Sequence, residues 1–414
     1  MTQSRDDLCL LLLDLLAERE VAIPRIETLD HEDWKRLLTI AKQHRVTPLV
    51  SRTLSHSKYK SMIPSHVMDH LREVEKTLTL RDLAARMCQF RLATLLDDNG
   101  MPYALLKGAY LSQHIYPTPV LRPMRDIDVL VEKDTAIGFF ERLEGLGYCR
   151  RQNDVTPMEF ALEHRHHLPP LICPVSNYVI EIHTKLFPPG QTLTPQHPLA
   201  DIERLLSRRV SYGVATHKLH YLNPTDTLLH LIVHATYQHG FDSGPLILTD
   251  INFLLQNASI DWPYFWEQAH RGDWIRGCHL IFAICAEYYE IDIRAQTSIK
   301  TSPQDIIAAS TIRDATLLSL QDMNDRKSVR FHAALKAQIN SRSALQNILK
   351  TAIPKKHVLA EYAGVPLTDK FLWANYPRWL IEKTKDRFLT KTKTHHTDNI
   401  NRLTSIEAWL KSEG

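Results

Sequence analysis

The first 98 residues have the three- and four-residue apolar spacing that predicts α-helices. Within 33–52, the apolar positions are Trp34, Leu37, Leu38 and Ala41. A longer pattern over 66–98 predicts a helix with one apolar side. This side is formed by Val67, Leu71, Val74, Leu78 and Leu83. Gly100 follows this pattern as a C-terminal glycine signal. We therefore predict an N-terminal helical region over residues 1–98.

The pattern changes after Gly100 to short runs with two-residue alternation, which predict β-strands. Helical spacing between these runs, and again after residue 200, predicts helices on either side of a small sheet. The predicted strands are 103–106, 126–131, 168–173 and 178–184, and the predicted helices are 109–116, 135–146, 200–209, 224–237, 248–257, 262–270 and 275–289. The interpretation is a predominantly helical α+β protein with a mixed-sheet core at 99–190, helical regions at 191–300 and 301–414, and a basic tail from Lys350.

Composition narrows the class of protein. Of the 414 residues, 44% are hydrophobic and 23% are charged, which is typical of a soluble globular protein. The six cysteines form no CxxC pair, and this favours a reducing, cytoplasmic location over a disulfide scaffold or a zinc knuckle. A net charge of +3 gives no strong nucleic-acid signature. No apolar stretch is long enough to predict a membrane span.

The first candidate chemistry is a pair of carboxylates in the strand-like run DIDVLV. Asp126 and Asp128 lie two residues apart, so on a strand both side chains point to one face. Adjacent anions repel each other, and a divalent cation with hard oxygen ligands, such as Mg²⁺, would compensate for this repulsion. The alternative is a pair of surface charges on an edge strand.

A lysine–glycine turn precedes this pair. Lys107 and Gly108 follow an apolar run and come directly before a helix-like segment. Glycine at a strand-to-helix turn lets the backbone approach a phosphate, and the start of a helix favours negative charge. A phosphate-binding turn followed by metal-binding carboxylates indicates phosphoryl or nucleotidyl transfer.

A third acid completes the predicted site. In VIEIH, Glu181 and His183 share one face of a strand, and Glu181 is the best candidate for the third carboxylate of a two-metal site. His183 could touch the nucleotide or a metal, although a packed histidine is the commoner outcome. Arg122 and Arg125 flank the carboxylates and could hold phosphate or an anionic acceptor. A salt bridge to Asp126 or Asp128 is the alternative for both arginines.

A histidine pair supports a minority interpretation. His230 and His234 lie four residues apart on one helix face, and Asp250 is near in sequence, as in a metal-dependent phosphohydrolase. Leu231 stands where an HExxH motif has glutamate, so a structural role is favoured. The other histidine cluster, HRHHLPP, lacks the two-plus-two ligand grouping of structural zinc sites.

Several segments, taken together, carry a family resemblance. They are DDNGMPYALLKGAYL, RPMRDIDVLV, HRHHLPPL, VIEIHTKL, NPTDTLLHLIVHATYQHG and TDINFLL, with IDWPYFW after them. In this order and spacing, over residues 30–290, the chain resembles the nucleotidyltransferase superfamily with its polymerase-β-like palm. More narrowly, it resembles an uncharacterised bacterial nucleotidyltransferase family. Two departures from the superfamily are Ala109, where Ser or Gly usually follows the turn glycine, and a longer, proline-containing connection from Gly108 to Asp126.

The resemblance implies a palm at 99–190 and transfer of a nucleoside monophosphate from an NTP, with ATP the preferred donor, to an acceptor, releasing pyrophosphate. It implies two Mg²⁺ ions on Asp126, Asp128 and Glu181, and phosphate contacts from Gly108. Nucleotide contacts are expected also from Lys107, Arg125 and His183. The acceptor stays open among a small molecule, a sugar, a protein and RNA. A palm that binds nucleotide or a partner without turnover is the main alternative.

Overall fold

A computed structural model gives the fold of this protein. It describes residues 3–151, 154, 156–188, 197–214, 217–297, 301–339, 353–354, 356–363, 365, 369–388 and 394–412. Within these residues, helices predominate and surround one mixed seven-stranded sheet, so the predicted α+β class is confirmed. Several lysines of the basic tail (Lys350, Lys355, Lys391 and Lys393) lie outside the described residues.

The N-terminal region is helical, as predicted, but the pattern over 33–52 belongs to two helices. They meet at Arg45, whose φ of 62° is in the left-handed region. Pro48 lies in the first turn of the second helix, where its missing N–H costs nothing, whereas inside one continuous helix it would clash with the preceding turn. The six helices are α1 (Arg5–Leu16), α2 (Ala22–Glu27), α3 (His31–Gln43), α4 (Thr47–Leu54), α5 (Ser57–Lys60) and α6 (Ser65–Asp98).

The longest helix, α6, confirms the predicted segment and its end. Gly100 follows it with a φ of +62°, which glycine adopts without strain. Val67 and Leu71 are buried, but placing Leu83 on the same side was wrong, because its side chain is 51% exposed. Leu83 comes five residues after Leu78, which rotates it by about 140° around the helix axis.

The sheet brings together strands from distant parts of the chain. Its order is β3-β4-β5-β2-β1-β7-β6, so β2 is the middle strand. β2 pairs in parallel with β5 and antiparallel with β1, and β1 pairs in parallel with β7. The strands are β1 (Tyr103–Leu105), β2 (Asp126–Val131), β3 (Cys149–Arg150), β4 (Leu171–Ile172), β5 (Val179–His183), β6 (Val210–Val214) and β7 (His217–Tyr221).

Three local expectations need correction. The predicted strand 168–173 is only β4, because Pro169 and Pro170 have no N–H to donate to a ladder. The predicted helix 109–116 is α7 (Gly108–Tyr110) followed by a π-helical turn over Leu111–Ile115. The hairpin β6–β7, past residue 200, was predicted to be helix or connection, yet it extends the sheet beyond β1.

The remaining helices pack largely against one another and confirm most of the predicted segments after residue 200. One hydrophobic cluster runs from Leu8 to Leu410, and a smaller one surrounds Trp379. The four-region division of the chain stays a prediction. In the part of the chain described, none of the helices combines the length and apolar character needed to cross a membrane. These helices are α8 (Lys133–Gly145), α9 (Met158–His164), α10 (Ile202–Ser207), α11 (Pro224–Val233), α12 (Leu246–Asn257), α13 (Trp262–Arg271), α14 (Ile275–Tyr289), α15 (Ile293–Thr297), α16 (Pro303–Ile306), α17 (Ala309–Ser319), α18 (Arg326–Ile339), α19 (Lys356–Ala363), α20 (Tyr376–Phe388) and α21 (Thr394–Lys411).

Candidate active site

Two neighbouring strands in the middle of the sheet set acidic side chains next to each other. The parallel register of β2 and β5 pairs Asp126 with Val179 and Asp128 with Glu181. Paired residues on adjacent strands present their side chains to the same face. Ile127, between the two aspartates, is fully buried against the core. The alternation in the sequence therefore places the carboxylates on one face, and the register brings Asp128 beside Glu181.

Asp128, Glu181 and His183 form a compact group of possible metal ligands. One ligand atom from each lies within 4.8 Å of the other two. His183 Nε2 is 2.8 Å from Asp128 Oδ1 and 3.6 Å from Glu181 Oε2. Asp128 is 4% exposed and His183 is 0% exposed, so the group is shielded from solvent. Two carboxylates and an imidazole form a donor set that suits a divalent cation.

Lys107 supplies the positive charge that this group needs. Its Nζ is 3.3 Å from Asp128 Oδ1. Burial alone would raise the pKa of Asp128, but the Lys107 ammonium and the hydrogen bond from His183 hold it well below its usual value. Burial alone would lower the pKa of Lys107, and the neighbouring carboxylates of Asp128, Asp126 and Glu181 raise it instead. Both partners are therefore charged at neutral pH.

The pKa values of Asp126 and His183 are shifted by burial and by the neighbouring charges of the site. Burial, followed by the charge of Asp128, raises the pKa of Asp126 to about 6. Asp126 is half-buried at the start of β2 and is not part of the compact ligand group. Burial would lower the pKa of His183, but its hydrogen bonds to Asp128 and Glu181 raise it. Asp126 therefore takes up a proton near pH 6, well before Asp128 does as the pH falls.

The lysine–glycine turn has an unusual backbone. Lys107 has φ 44° and ψ −115°, a conformation that costs a residue with a Cβ of the order of 1–3 kcal/mol. Gly108 follows at the start of α7, and a Cβ there would come within 2.5 Å of Arg122 Nη1. Glycine is thus required by the close approach of Arg122, and the strained turn carries the ammonium to Asp128.

Arg122 is held by Asp250, which changes two of the sequence-based interpretations. Its Nε and Nη2 donate to the two carboxylate oxygens of Asp250 at 3.0 and 2.8 Å. The Tyr116 hydroxyl donates to Asp250 Oδ1 at 2.7 Å. All three side chains are buried. Neither the predicted salt bridge from Arg122 to Asp126 or Asp128 nor a metal-ligand role for Asp250 fits this arrangement.

His230, on α11, and His234, which directly follows α11, lie near the site without forming a ligand set. His230 is buried, and burial, followed by the Lys107 charge, lowers the pKa of His230 and of His234 well below the usual value. Among the described residues, they join no group of acids that could hold a metal. The structure therefore gives the phosphohydrolase interpretation no support.

Sequence reasoning missed Arg45 and underrated His167. Arg45 comes from the corner between α3 and α4, yet its charge acts on the carboxyl of Asp126. His167 Nε2 lies 3.9 Å from Glu181 Oε2, and its residue forms a backbone bridge with His183. Nothing local in the sequence points to Arg45, whereas the run of histidines around His167 was a visible signal. Arg125 is exposed at the entrance of β2.

The mixed sheet presents acids from two adjacent strands beside a lysine turn, the arrangement that the sequence predicted for a protein of the nucleotidyltransferase type. The family described as uncharacterised nucleotidyltransferase matches residues 30–290. The chain belongs to this family, as the resemblance in the sequence predicted. A search of the curated proteins finds no match.

Proposed function

We propose that this protein is a metal-dependent nucleotidyltransferase that moves a nucleoside monophosphate from an NTP to an acceptor and releases pyrophosphate. One observation carries the proposal: Asp128, Glu181 and His183 converge from adjacent parallel strands in a chain of the nucleotidyltransferase family. Lys107, within reach of the same carboxylate, supplies a cation for phosphate.

The residues present fit a divalent metal. Asp128 and Glu181 would hold it with His183, and Asp126 would complete the site from the next position on the same face. Carboxylates suit Mg²⁺ and Mn²⁺, and the imidazole adds affinity for transition metals. When bound, a divalent metal neutralises charge on the phosphates and lowers the pKa of an acceptor hydroxyl.

The chain's own residues bind and orient the substrates. Lys107 would exchange its bond with Asp128 for contact with a phosphate oxygen of the NTP. Gly108, at the turn, and Arg125, exposed beside Asp126, are proposed to contact the phosphates as well. The acceptor oxygen forms a bond to the α-phosphorus while the bond from that phosphorus to the pyrophosphate oxygen breaks. ATP as the donor and a nucleotide contact from His183 belong to the same proposal.

Thermal unfolding with nucleotides tests this proposal. Each of ATP, GTP, CTP and UTP is added to the full-length protein with Mg²⁺, with Mn²⁺ or with EDTA. A ligand that binds only the folded state stabilises it by about 2.7 kcal/mol at 100 times its Kd, so the expected result is a metal-dependent rise in Tm. Glu181→Gln should lose the rise, while Glu141→Gln, an exposed change on α8, should keep it. A Tm that no nucleotide changes would overturn the proposal.

Lys107→Met should separate metal binding from nucleotide binding. Methionine keeps the length of the side chain and the strained backbone but removes the ammonium that competes with a metal for Asp128. We expect Mn²⁺ alone to bind about three- to tenfold more tightly, and the metal–NTP complex to bind more weakly by at least the same factor. Calorimetric titrations measure both affinities, with Lys133→Met on the exposed surface of α8 as the control. Parallel changes in both affinities would contradict a phosphate-binding role for Lys107.

A further inference from the structure

A cavity lies next to the candidate active site, and the proposed reaction assigns no substrate to it. Its volume is about 480 Å³, which is the size of a small-molecule site. It lies between α3, α4, α6 and the segment 122–125 that enters β2. Apolar side chains form much of its wall, including Val74, Leu78, Val120, Met124 and Tyr178.

The charged side chains of this cavity are mostly positive. Lys42, Arg45, Arg81 and Arg125 line it. In the part of the chain that the structure describes, none of these four has a carboxylate within ion-pair distance. Both acids in the wall have other partners: Asp82 is paired with Arg86 at 2.9 Å, and Glu73 with Lys76 at 3.5 Å. An excess of unpaired cations around an apolar cavity favours an anionic ligand.

The backbone conformation of Arg45 and its position among other cations both cost free energy. A φ of 62° favours glycine, and a residue with a Cβ pays roughly 1–2 kcal/mol for it. Burial and the nearby charges of Arg122 and Arg125 lower the pKa of Arg45 to about 10, so cations are crowded here. Strained backbone that persists against such costs is concentrated at functional sites. Arg45 and Lys107 both have positive φ, and both face the carboxylates of β2.

The position of the cavity relates it to the proposed reaction. Arg125 lines the cavity and directly precedes Asp126, while Lys107 contacts Asp128, two residues further along the strand. Lys107 is thus paired with Asp128, and the charge of Arg45 acts on Asp126. A triphosphate held by Lys107, Gly108 and Arg125 would leave Lys42, Arg45 and Arg81 available for a second anion.

We propose that this cavity binds the acceptor, and that the acceptor is a small molecule with an anionic group, such as phosphate or carboxylate, on an apolar body. The inference rests on the proposed nucleotidyltransferase function. An oxygen of this acceptor forms the bond to the α-phosphorus, the bond to pyrophosphate breaks, and any proton on that oxygen passes to solvent. The volume of the cavity suits a small molecule.

Binding of simple probes tests the inference without an NTP. Phenyl phosphate, benzoate and neutral benzyl alcohol are titrated calorimetrically into the full-length protein. We expect one of the two anions to bind at least tenfold more tightly than benzyl alcohol, and the comparison of phosphate with carboxylate identifies the anionic group. Comparable affinity for all three probes would overturn the inference.

Two variants locate the probe. Lys42→Gln and Arg81→Gln each change an exposed side chain that lines the cavity, on α3 and on α6, so neither Tm should fall. Both should weaken anion binding about tenfold and leave the affinity for Mg²⁺–ATP within about twofold. Arg72→Gln, exposed elsewhere on α6 and outside the cavity, is the matched control and should change neither affinity.

The outcomes separate this inference from the proposed function. Loss of Mg²⁺–ATP binding together with anion binding in Lys42→Gln and Arg81→Gln would show that the cavity holds the triphosphate, and would overturn the acceptor assignment. Probe binding that depends on Lys42 and Arg81 in a protein that binds no NTP would refute the nucleotidyltransferase proposal and, with it, the acceptor role, leaving an anion site of another kind.

Discussion

Asp128→Asn should abolish metal-dependent NTP binding while the protein stays folded. Asp128 contributes the oxygen that both His183 and Lys107 contact, at 2.8 and 3.3 Å. Residues that only orient a metal ligand already contribute 10- to 100-fold to affinity, so loss of the ligand itself should cost at least about 100-fold. Calorimetric titration of Mg²⁺–ATP, or of whichever NTP raises the Tm of the wild type, measures the effect.

The substitution is designed to preserve the fold. Asparagine has nearly the shape of aspartate, and its side-chain oxygen can still accept the hydrogen bond from His183 Nε2. Removing one charge also relieves the repulsion that, together with burial, raises the pKa of Asp126. The control is Asp134→Asn in the exposed first turn of α8, which should bind NTP like the wild type. Should Asp128→Asn not fold, Asp128→Ala and Glu181→Gln provide the same test. Unchanged NTP affinity in a folded variant would refute the site.

Asp250→Ala should have the largest effect on stability. It leaves the Arg122 guanidinium buried without its two carboxylate bonds and the Tyr116 hydroxyl without its acceptor. Breaking a buried, hydrogen-bonded ion pair from one side costs about 3–5 kcal/mol. Urea unfolding should therefore show a free energy of unfolding that is lower by this amount. Asp314→Ala, on the more exposed side of α17, is the matched acidic control.

A double variant tests whether the lost stability comes from the unpaired charge of Arg122. Replacing both partners, as in Arg122→Met with Asp250→Leu, removes the uncompensated charge and should recover much of the lost stability. Loss of stability below about 1 kcal/mol in Asp250→Ala would contradict a structural role for this ion pair. A loss of metal binding without loss of stability would instead revive Asp250 as a ligand.

Sequence periodicity alone found the elements that carry the chemistry. The alternation in β2 and β5 correctly placed Asp126, Asp128, Glu181 and His183 on the polar faces of two strands. Such a pattern is local, because each residue's face depends only on its distance along the same strand. Local sequence signals also predicted that α6 ends before Gly100 and that a turn lies at Lys107 and Gly108. The family, likewise, followed from the order of short motifs.

Only the tertiary structure decided which of these residues meet. His183 reaches Asp128 across 55 residues, and Arg122 finds Asp250 across 128. The sequence offered more than one partner of opposite charge for Arg122. Packing of α12 against the π-helical turn over Leu111–Ile115 places Asp250 as the actual partner. Arg45 enters the site from a helix corner that no local pattern connects with the sheet. The periodicity of the chain thus determined the faces of strands and helices, whereas long-range packing determined which charges are paired and which are left for a ligand.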